Sequence, residues 1–411
     1  MTQRYDTYKD SGVQWLGEIP GHGGCVFINR LFNIKAGGDV KPELYADKKD
    51  ENHPFPVYTN TKSADDVYAY TSLATCPSNS ITVTGRGEVG HAIFRETPYD
   101  AIVRLLSLTP KSNIICKFYA YFIDTVIPFS SDSAAIGQLS AVQIKQKHVT
   151  LPPLSEQRSI VSFLDAKCGK IDEWVTKKQK EVEHLQELKQ RVIADAVTRG
   201  LNPHVKMKAT NIPWLKEIPE HWECVKLKMF CQDNKEKNKG NIESCVLSLS
   251  YGNIIVKKNV NFGLVLENYD SYQIVNPGNI ILRLTDLQND HKSLRTGLVK
   301  NRGIITSAYV GLIVKNMNSE YTQLILHSYD VMKVFYGMGG GLRQSMSYTD
   351  IANVYIPVPP LSEQKQIVSY LDTKTSQIDK LIAHITKEIE CIKEYKQRLI
   401  SDVVTGQIKV C

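Results

Sequence analysis

Arginine, asparagine and glutamine carry paired hydrogen-bonding groups that match the edges of nucleic-acid bases, Arg to guanine and Asn or Gln to adenine. In this 411-residue chain such residues gather in polar, glycine-rich loops: "TGRGEVG" at 84–90, "LTDLQNDHKSLRTG" at 284–297 and "GMGGGLRQSMS" at 337–347. The candidates for DNA contact are Asn60, Lys62, Asn79, Arg86 and Gln138 in the first half, and Arg283, Gln288, Asn289, Arg295, Arg343 and Gln344 in the second. Ser307 and Tyr309 are suited to phosphates or bases. Each competes with the plainer assignment of a solvated loop residue. Other chemistry is poorly supplied. Gly85, Gly87 and Gly90 are not followed by the Gly-Lys-Ser/Thr of a phosphate loop. Nine cysteines lack CxxC spacing and ten histidines form no HExxH pair, which argues against a disulfide framework and a zinc site. Cys25 and Cys224 hold matching places and read as small buried thiols. Asp286 and Asp290 are the best carboxylates for a hidden catalytic centre, but no nucleophile or metal-ligand set accompanies them.

The elements that must position these loops occur twice. "PPLSEQ" at 152–157 returns at 359–364, an offset of 207 that holds through Leu164-Asp165 over Leu371-Asp372 and through Asp195, Val197 and Thr198 over Asp402, Val404 and Thr405. Backwards, 137–144 lies over 344–351 with weak identity. "WLGEIPGHGGCV" from Trp15 matches "WLKEIPEHWECV" from Trp214 at an offset of 199, so the second copy has eight extra residues, expected between Val225 and Gly297. A repeat this long is a duplicated domain plus helix and no solenoid unit.

After each "PPLSEQ" the pattern is that of a long helix. Leu371, Ile378, Ile385, Ile392 and Leu399 recur every seventh residue with Ile382, Ile389 and Val403 interleaved. The first copy places Leu164, Ile171, Leu185 and Val192 beside Val175, Val182 and Ala196, interrupted by Lys178 and Lys189. Ser155 and Ser362 are placed to cap the helices, Glu156 and Glu363 to meet their dipoles, and Gly200 with Pro203 to end the first. Runs of about 40 to 45 residues extend roughly 60 to 68 Å. Two matching seams predict an intramolecular antiparallel coiled coil; the alternative is that each helix joins a partner subunit. Between the rods, short β-rich runs at 81–83, 101–108, 280–290 and 303–314 predict a small twisted sheet with a few helices in each copy. The fold class expected is α+β, with an internal pseudo-two-fold repeat. The segments are a first domain at 1–151, a helix at 152–200, a linker at 201–213, a second domain at 214–358 and a second helix at 359–411.

Composition fits two such domains: 42% apolar and 23% charged residues, with no apolar run near the roughly 18 residues of a membrane span. A cytoplasmic chain is expected. Net charge is +7, yet residues 15–150 balance at 13 basic and 13 acidic and residues 214–358 carry 16 against 13, so charge alone proves no nucleic-acid partner.

The tandem of "WL.EIP.HWECVKL", a β-rich domain, "PPLSEQ..IV..LD....ID" and a long helix is similar, over essentially the whole chain, to the specificity subunits of type I restriction-modification enzymes. The first copy departs around Gly24, where the second has Trp222 nearby, a difference that bears on how its entrance packs. The resemblance implies two target-recognition domains separated by the long helices, each reading one half of a bipartite site in double-stranded DNA. It implies helices that set the spacing and dock two modification (methyltransferase) subunits. Catalysis would lie elsewhere: S-adenosylmethionine in the modification subunits, ATP and Mg in restriction subunits that translocate and cut, and no cofactor on this chain. The chain itself shows no methyltransferase or Walker A motif. Alternatives are the specificity subunit of a methyltransferase-only or type II-like complex, and a protein-binding structural adaptor.

Overall fold

The structure is a computed structural model, and it describes residues 4–129, 138–257, 268–287, 294–338 and 345–410. It divides into two compact units, one of residues 1–179 with 387–411 and one of residues 180–386. Each holds one globular fold and part of both long helices.

In the first unit β1 (Tyr8–Asp10) pairs with β2 (Glu18–Pro20), and β3 (Gly24–Phe27) leads through one helical turn, α1 (Ile28–Leu31), into β4 (Phe32–Ala36). Then come β5 (Tyr45–Ala46), β6 (Phe55–Tyr58), β7 (Ala69–Thr71), β8 (Ser80–Val83), β9 (Ala92–Arg95), β10 (Asp100–Ala101) and β11 (Leu106–Pro110). They form two four-stranded sheets, ordered β10-β6-β7-β5 and β4-β11-β8-β9. Ile81 and Val83 on β8 and Leu106 and Leu108 on β11 point alternate apolar side chains into the core, while Ser80, Thr82 and Ser107 between them are buried as well. Over it lies α2 (Cys116–Thr125), whose Phe118, Tyr119, Phe122 and Ile123 join the same core. A Ser140–Gln143 capping box starts α3 (Ala141–Lys145), and β12 (His148–Leu151) returns to pair with β3 before α4 (Leu154–Arg199) begins.

The second unit repeats this order. Its strands are β13 (Met207–Ile212), β14 (Leu215–Pro219), β15 (Glu223–Lys226), β16 (Cys231–Asp233), β17 (Leu247–Ser250), β18 (Asn253–Val256), β19 (Gln273–Val275), β20 (Ile280–Leu282), β21 (Thr296–Leu298), β22 (Gly303–Ile305) and β23 (Val310–Val314). There follow α5 (Ser319–Val331), α6 (Tyr348–Ile351), β24 (Tyr355–Val358) and α7 (Leu361–Val404). The sheet β16-β23-β20-β21 matches β4-β11-β8-β9 strand for strand. The intervening segment does not: a β17–β18 hairpin and a β19–β22 pair stand in place of the sheet around β6. The stretch 201–213 is more than a linker, since β13 pairs with β14 as β1 pairs with β2.

The extra residues are not all where the sequence match places them. Eight residues separate Val83 from its partner Ala92, whereas thirteen separate Leu282 from Thr296, so this turn takes five of the eight. The other three follow β11 and β23, beyond Gly297, which lies inside β21. Turns between strands absorb insertions because no ladder bond is lost there.

Side-chain bonding explains the repeated phrase. Gln157 is buried, accepts the Ile115 N–H at 3.0 Å and donates to the Pro152 carbonyl at 2.9 Å; Gln364 does the same with Asn318 at 2.9 Å and Pro359 at 2.9 Å. Each glutamine thereby ties the start of a long helix to the N-terminus of α2 or α5. The preceding glutamates hold the domain entrances: His221 Nε2 lies 2.9 Å from Glu363, which also accepts from Trp222 Nε1 at 3.1 Å, and His22 Nε2 lies 2.8 Å from Glu156. The residue matching Trp222 is Gly23, and the first unit supplies the missing donor from its N-terminal segment, the Tyr5 hydroxyl on Glu156. Ser155 and Ser362 are not caps, because the helices already start at Leu154 and Leu361 behind the paired prolines. At its other end α4 stops at Gly200, left-handed with φ +77°.

The long helices pack antiparallel on each other. In the first unit Lys396 holds Asp172 at 2.7 Å and Lys178 lies 3.9 Å from Glu388, while Leu164 and Cys168 share a core with Leu399 and Val403. In the second unit Lys189 holds Asp379 at 2.7 Å, and Ile193, Ala196 and Val197 share a core with Ile367, Val368 and Leu371. The lysines that interrupt the first seam thus reach carboxylates on the facing helix.

Candidate nucleic-acid interface

In the first unit three loops are bound into one surface by Asn60. Its Oδ1 accepts the backbone N–H of Gly85 at 2.7 Å and of Arg86 at 3.2 Å, and its Nδ2 donates to the Val103 carbonyl at 2.7 Å. The sequence places Asn60 against a base; the structure places it under the loops, joining the β8–β9 turn to the β10–β11 turn. Arg86 and Gln138 form a backbone bridge, which adds the segment before α3 to the same surface. Gly85 is required there, since a Cβ would stand 2.7 Å from the Arg104 carbonyl and 3.1 Å from that of Leu139.

Lys62 is ion-paired with Glu88, the acid of the 84–91 turn. Arg86 is exposed and Gln138 half-exposed. Asn79 is exposed at the entry to β8, left-handed at φ +51°, while its carbonyl accepts from Cys116 Sγ at 3.1 Å. The sequence reading missed Arg104. Within "AIVRLL" it reads as part of a strand, yet the chain makes a turn there, with Val103 at φ +52°, Arg104 at φ +64° and the Leu105 N–H bonded to the Ile102 carbonyl at 3.1 Å. The repeat holds the signal that finds it: the matching turn of the second unit runs from Thr306 to Tyr309 and contains the candidates Ser307 and Tyr309.

In the second unit Ser307 is exposed, and Tyr309 is half-buried against the Leu247 and Val275 cluster. Arg283 is half-buried and its N–H donates to the Arg295 carbonyl at 2.8 Å. Arg295 is a correction. It is fully buried, with Nη1 donating to the carbonyls of Arg283 at 3.1 Å and Thr285 at 2.8 Å, Nη2 to Asp286 at 3.2 Å, and Nε to the Tyr336 hydroxyl at 3.2 Å. A guanidinium so engaged moulds the long turn from within and presents nothing to a base edge. Gln288, Asn289, Arg343 and Gln344 lie outside the described residues.

Among the described residues no group of three or more His, Cys, Asp or Glu is placed to hold a metal ion. Burial pushes the half-buried Cys25 and Cys224 thiols above their ordinary pKa, which keeps them protonated and poorly nucleophilic. No helix among the described residues is long and apolar enough to cross a membrane.

Residues 26–184 and 219–391, one stretch in each copy of the repeat, match the family model described as the type I restriction modification DNA specificity domain. The chain belongs to this family. The putative type I restriction enzyme MjaX specificity subunit of Methanocaldococcus jannaschii is 27% identical over 326 residues, 75% of this chain and 72% of that protein. The type I restriction enzyme MjaVIII specificity subunit of the same organism is 25% identical over 327 residues, 74% and 73% respectively. A chain of a solved structure described as the "structural basis underlying complex assembly and conformational transition of the type I R-M system" has the same fold, with a TM-score of 0.67 at 14% identity over 94% of this chain and 98% of that one. As a type I specificity subunit the chain contributes DNA recognition to a restriction-modification system and is not itself an enzyme.

Proposed function

We propose that each unit reads one half of a bipartite DNA target and that α4 and α7 set the spacing between the halves. The observation that carries this reading is the occurrence of one DNA-specificity domain in each copy of the repeat, on equivalent sheets with unequal turns. In the first unit Lys62, Asn79, Arg86 and Gln138 form the contact set. In the second it comprises Arg283, Ser307 and Tyr309 together with Gln288, Asn289, Arg343 and Gln344. Base-edge contacts specify, while Lys and Ser contacts to phosphate position. The exposed faces of α4 and α7 dock two modification subunits, which carry S-adenosylmethionine and flip the target base, because the reacting atom is inaccessible in the stack. Restriction subunits using ATP and Mg join that core. The complex works in the cytoplasm, where its DNA is.

Single-molecule sequencing of adenine methylation tests this in cells carrying the chain with its modification subunit, against a null allele of the chain. A methylated split motif that vanishes in the null supports the reading. Motifs indifferent to the chain, with the modification subunit active, overturn it.

A further inference from the structure

The turn Ile102–Leu105 is an unusual one for its sequence. Two consecutive left-handed residues suit Asn-Gly or Gly-Gly, whereas here they are Val103 and Arg104, and a β-branched residue at positive φ is a genuine outlier. Such strain persists only where the surroundings over-determine it. Here they do. The Val103 N–H donates to the Gly38 carbonyl at 2.8 Å, the Ile102 N–H to Tyr58 at 3.1 Å, and the Val103 carbonyl accepts from Asn60. Gly37 lets the backbone close in, a Cβ there standing 2.5 Å from the Ala101 carbonyl. The outcome is an exposed Arg104 at the apex of a rigid turn, on the same Asn60 clamp as the exposed Arg86. By contrast Arg95, also in this unit, is buried, with Nε on Thr82 at 3.1 Å and Nη1 on the Ala64 carbonyl at 2.9 Å. The second unit has Thr285 and Ala308 where the first has Arg86 and Arg104, and its turn at 306–309 contains no left-handed residue.

We infer that Arg86 and Arg104 are a guanine-reading pair, each guanidinium bidentate to O6 and N7 in the major groove, with Asn60 as the positioning residue that sets both. The inference rests on the DNA-reading function above and deepens it: it assigns guanine to the half-site of the first unit and names the residues that select it. Arginine to guanine is the pairing whose geometry matches a planar fork. A rigid turn serves this chemistry because a backbone already ordered adds no loop-ordering cost on binding, which leaves only the side-chain rotamers to be fixed.

The test uses the whole chain with its modification subunit and reads the methylated motif. Arg104→Ala should relax one guanine position of one half-site, with a loss of discrimination of roughly 5- to 150-fold, and leave the other half intact. Arg104→Gln should turn the preference at that position toward adenine. Arg86→Ala should relax a second guanine of the same half, and Asn60→Ala should weaken both. Arg30→Ala, an exposed arginine on α1, should change no position. If Arg104→Ala and Arg104→Gln leave the motif unchanged, or lower methylation uniformly at every position, the pair does not read bases and the inference falls while the specificity role stands. If the unsubstituted chain specifies no split motif, the parent reading falls with it.

Discussion

At the scale of single residues, the same side-chain type plays opposite parts according to burial. Arg295 and Arg104 both lie in turns that enter a sheet strand, but one guanidinium is enclosed by carbonyls and the other belongs to an exposed residue. Arg295→Met should therefore cost at least about 3 kcal/mol, because it leaves buried carbonyls without donors. Urea denaturation checks this, and the motif read by any folded protein should be unaltered at both halves; a stable variant with an altered half-site would contradict it. Gln364 works the same way on a smaller scale. Gln364→Ala strands the Asn318 N–H and the Pro359 carbonyl and should destabilise by about 1 to 3 kcal/mol, a drop in Tm that Gln364→Glu recovers only in part, since a carboxylate accepts from Asn318 but cannot donate to Pro359.

At the scale of elements, the coiled coil combines an apolar seam with charged interruptions that pair across it. Lys189–Asp379 and Asp172–Lys396 occupy repeat-related positions, since the offset of 207 carries one pair into the other. Their aspartates are more than half exposed, so each pair is worth only about 0.5 kcal/mol. The larger effect is on register, because a polar residue in a seam disfavours slipped alignments. Lys189→Asp should lower Tm slightly, and Asp379→Lys in the same chain should restore it; failure of restoration in a double-mutant cycle would remove the pair from the account. On α5, His327 has its pKa lowered by burial, with the nearby charge of Lys189 adding to it. Its folded value is below the unfolded one, so the folded unit resists a proton that the unfolded chain accepts below about pH 6.5. Stability should fall as pH drops through that point and be unaffected above it. His327→Gln should flatten the Tm profile between about pH 8 and about pH 5; an unchanged slope would assign the acid sensitivity elsewhere.

At the scale of the whole molecule, duplication with unequal turns permits modular reading. The shared sheet and the glutamine ties keep each unit intact, while the intervening strands and the thirteen-residue turn of the second unit vary without disturbing them. Replacing residues 214–358 with the equivalent segment of a relative should change one half-site in the methylation motif and preserve the other. A change in both would end the picture of independent readers. Specific affinity for target DNA should also fall steeply with salt, by about 0.9 log units per log unit of salt for each phosphate neutralised. A flat salt response would favour a protein adaptor.

The repeat, the helical periodicity, the paired prolines and the terminating Gly200 are local or self-comparing signals, and the α+β class, the duplicated order and the long helices were legible from them. Antiparallel packing followed too, because two seams in one chain can cover each other. Tertiary structure alone decided which polar residues face solvent. The role of Asn60 depends on a carbonyl and N–H groups brought in from loops distant in sequence, that of Arg295 on how its own turn folds back over it, and the turn at Val103–Arg104 contradicts the local preference of its residues. Substitution of Tyr5 for Trp222 as the partner of an entrance glutamate likewise joins residues more than a hundred positions apart, a distance over which composition and spacing carry no information.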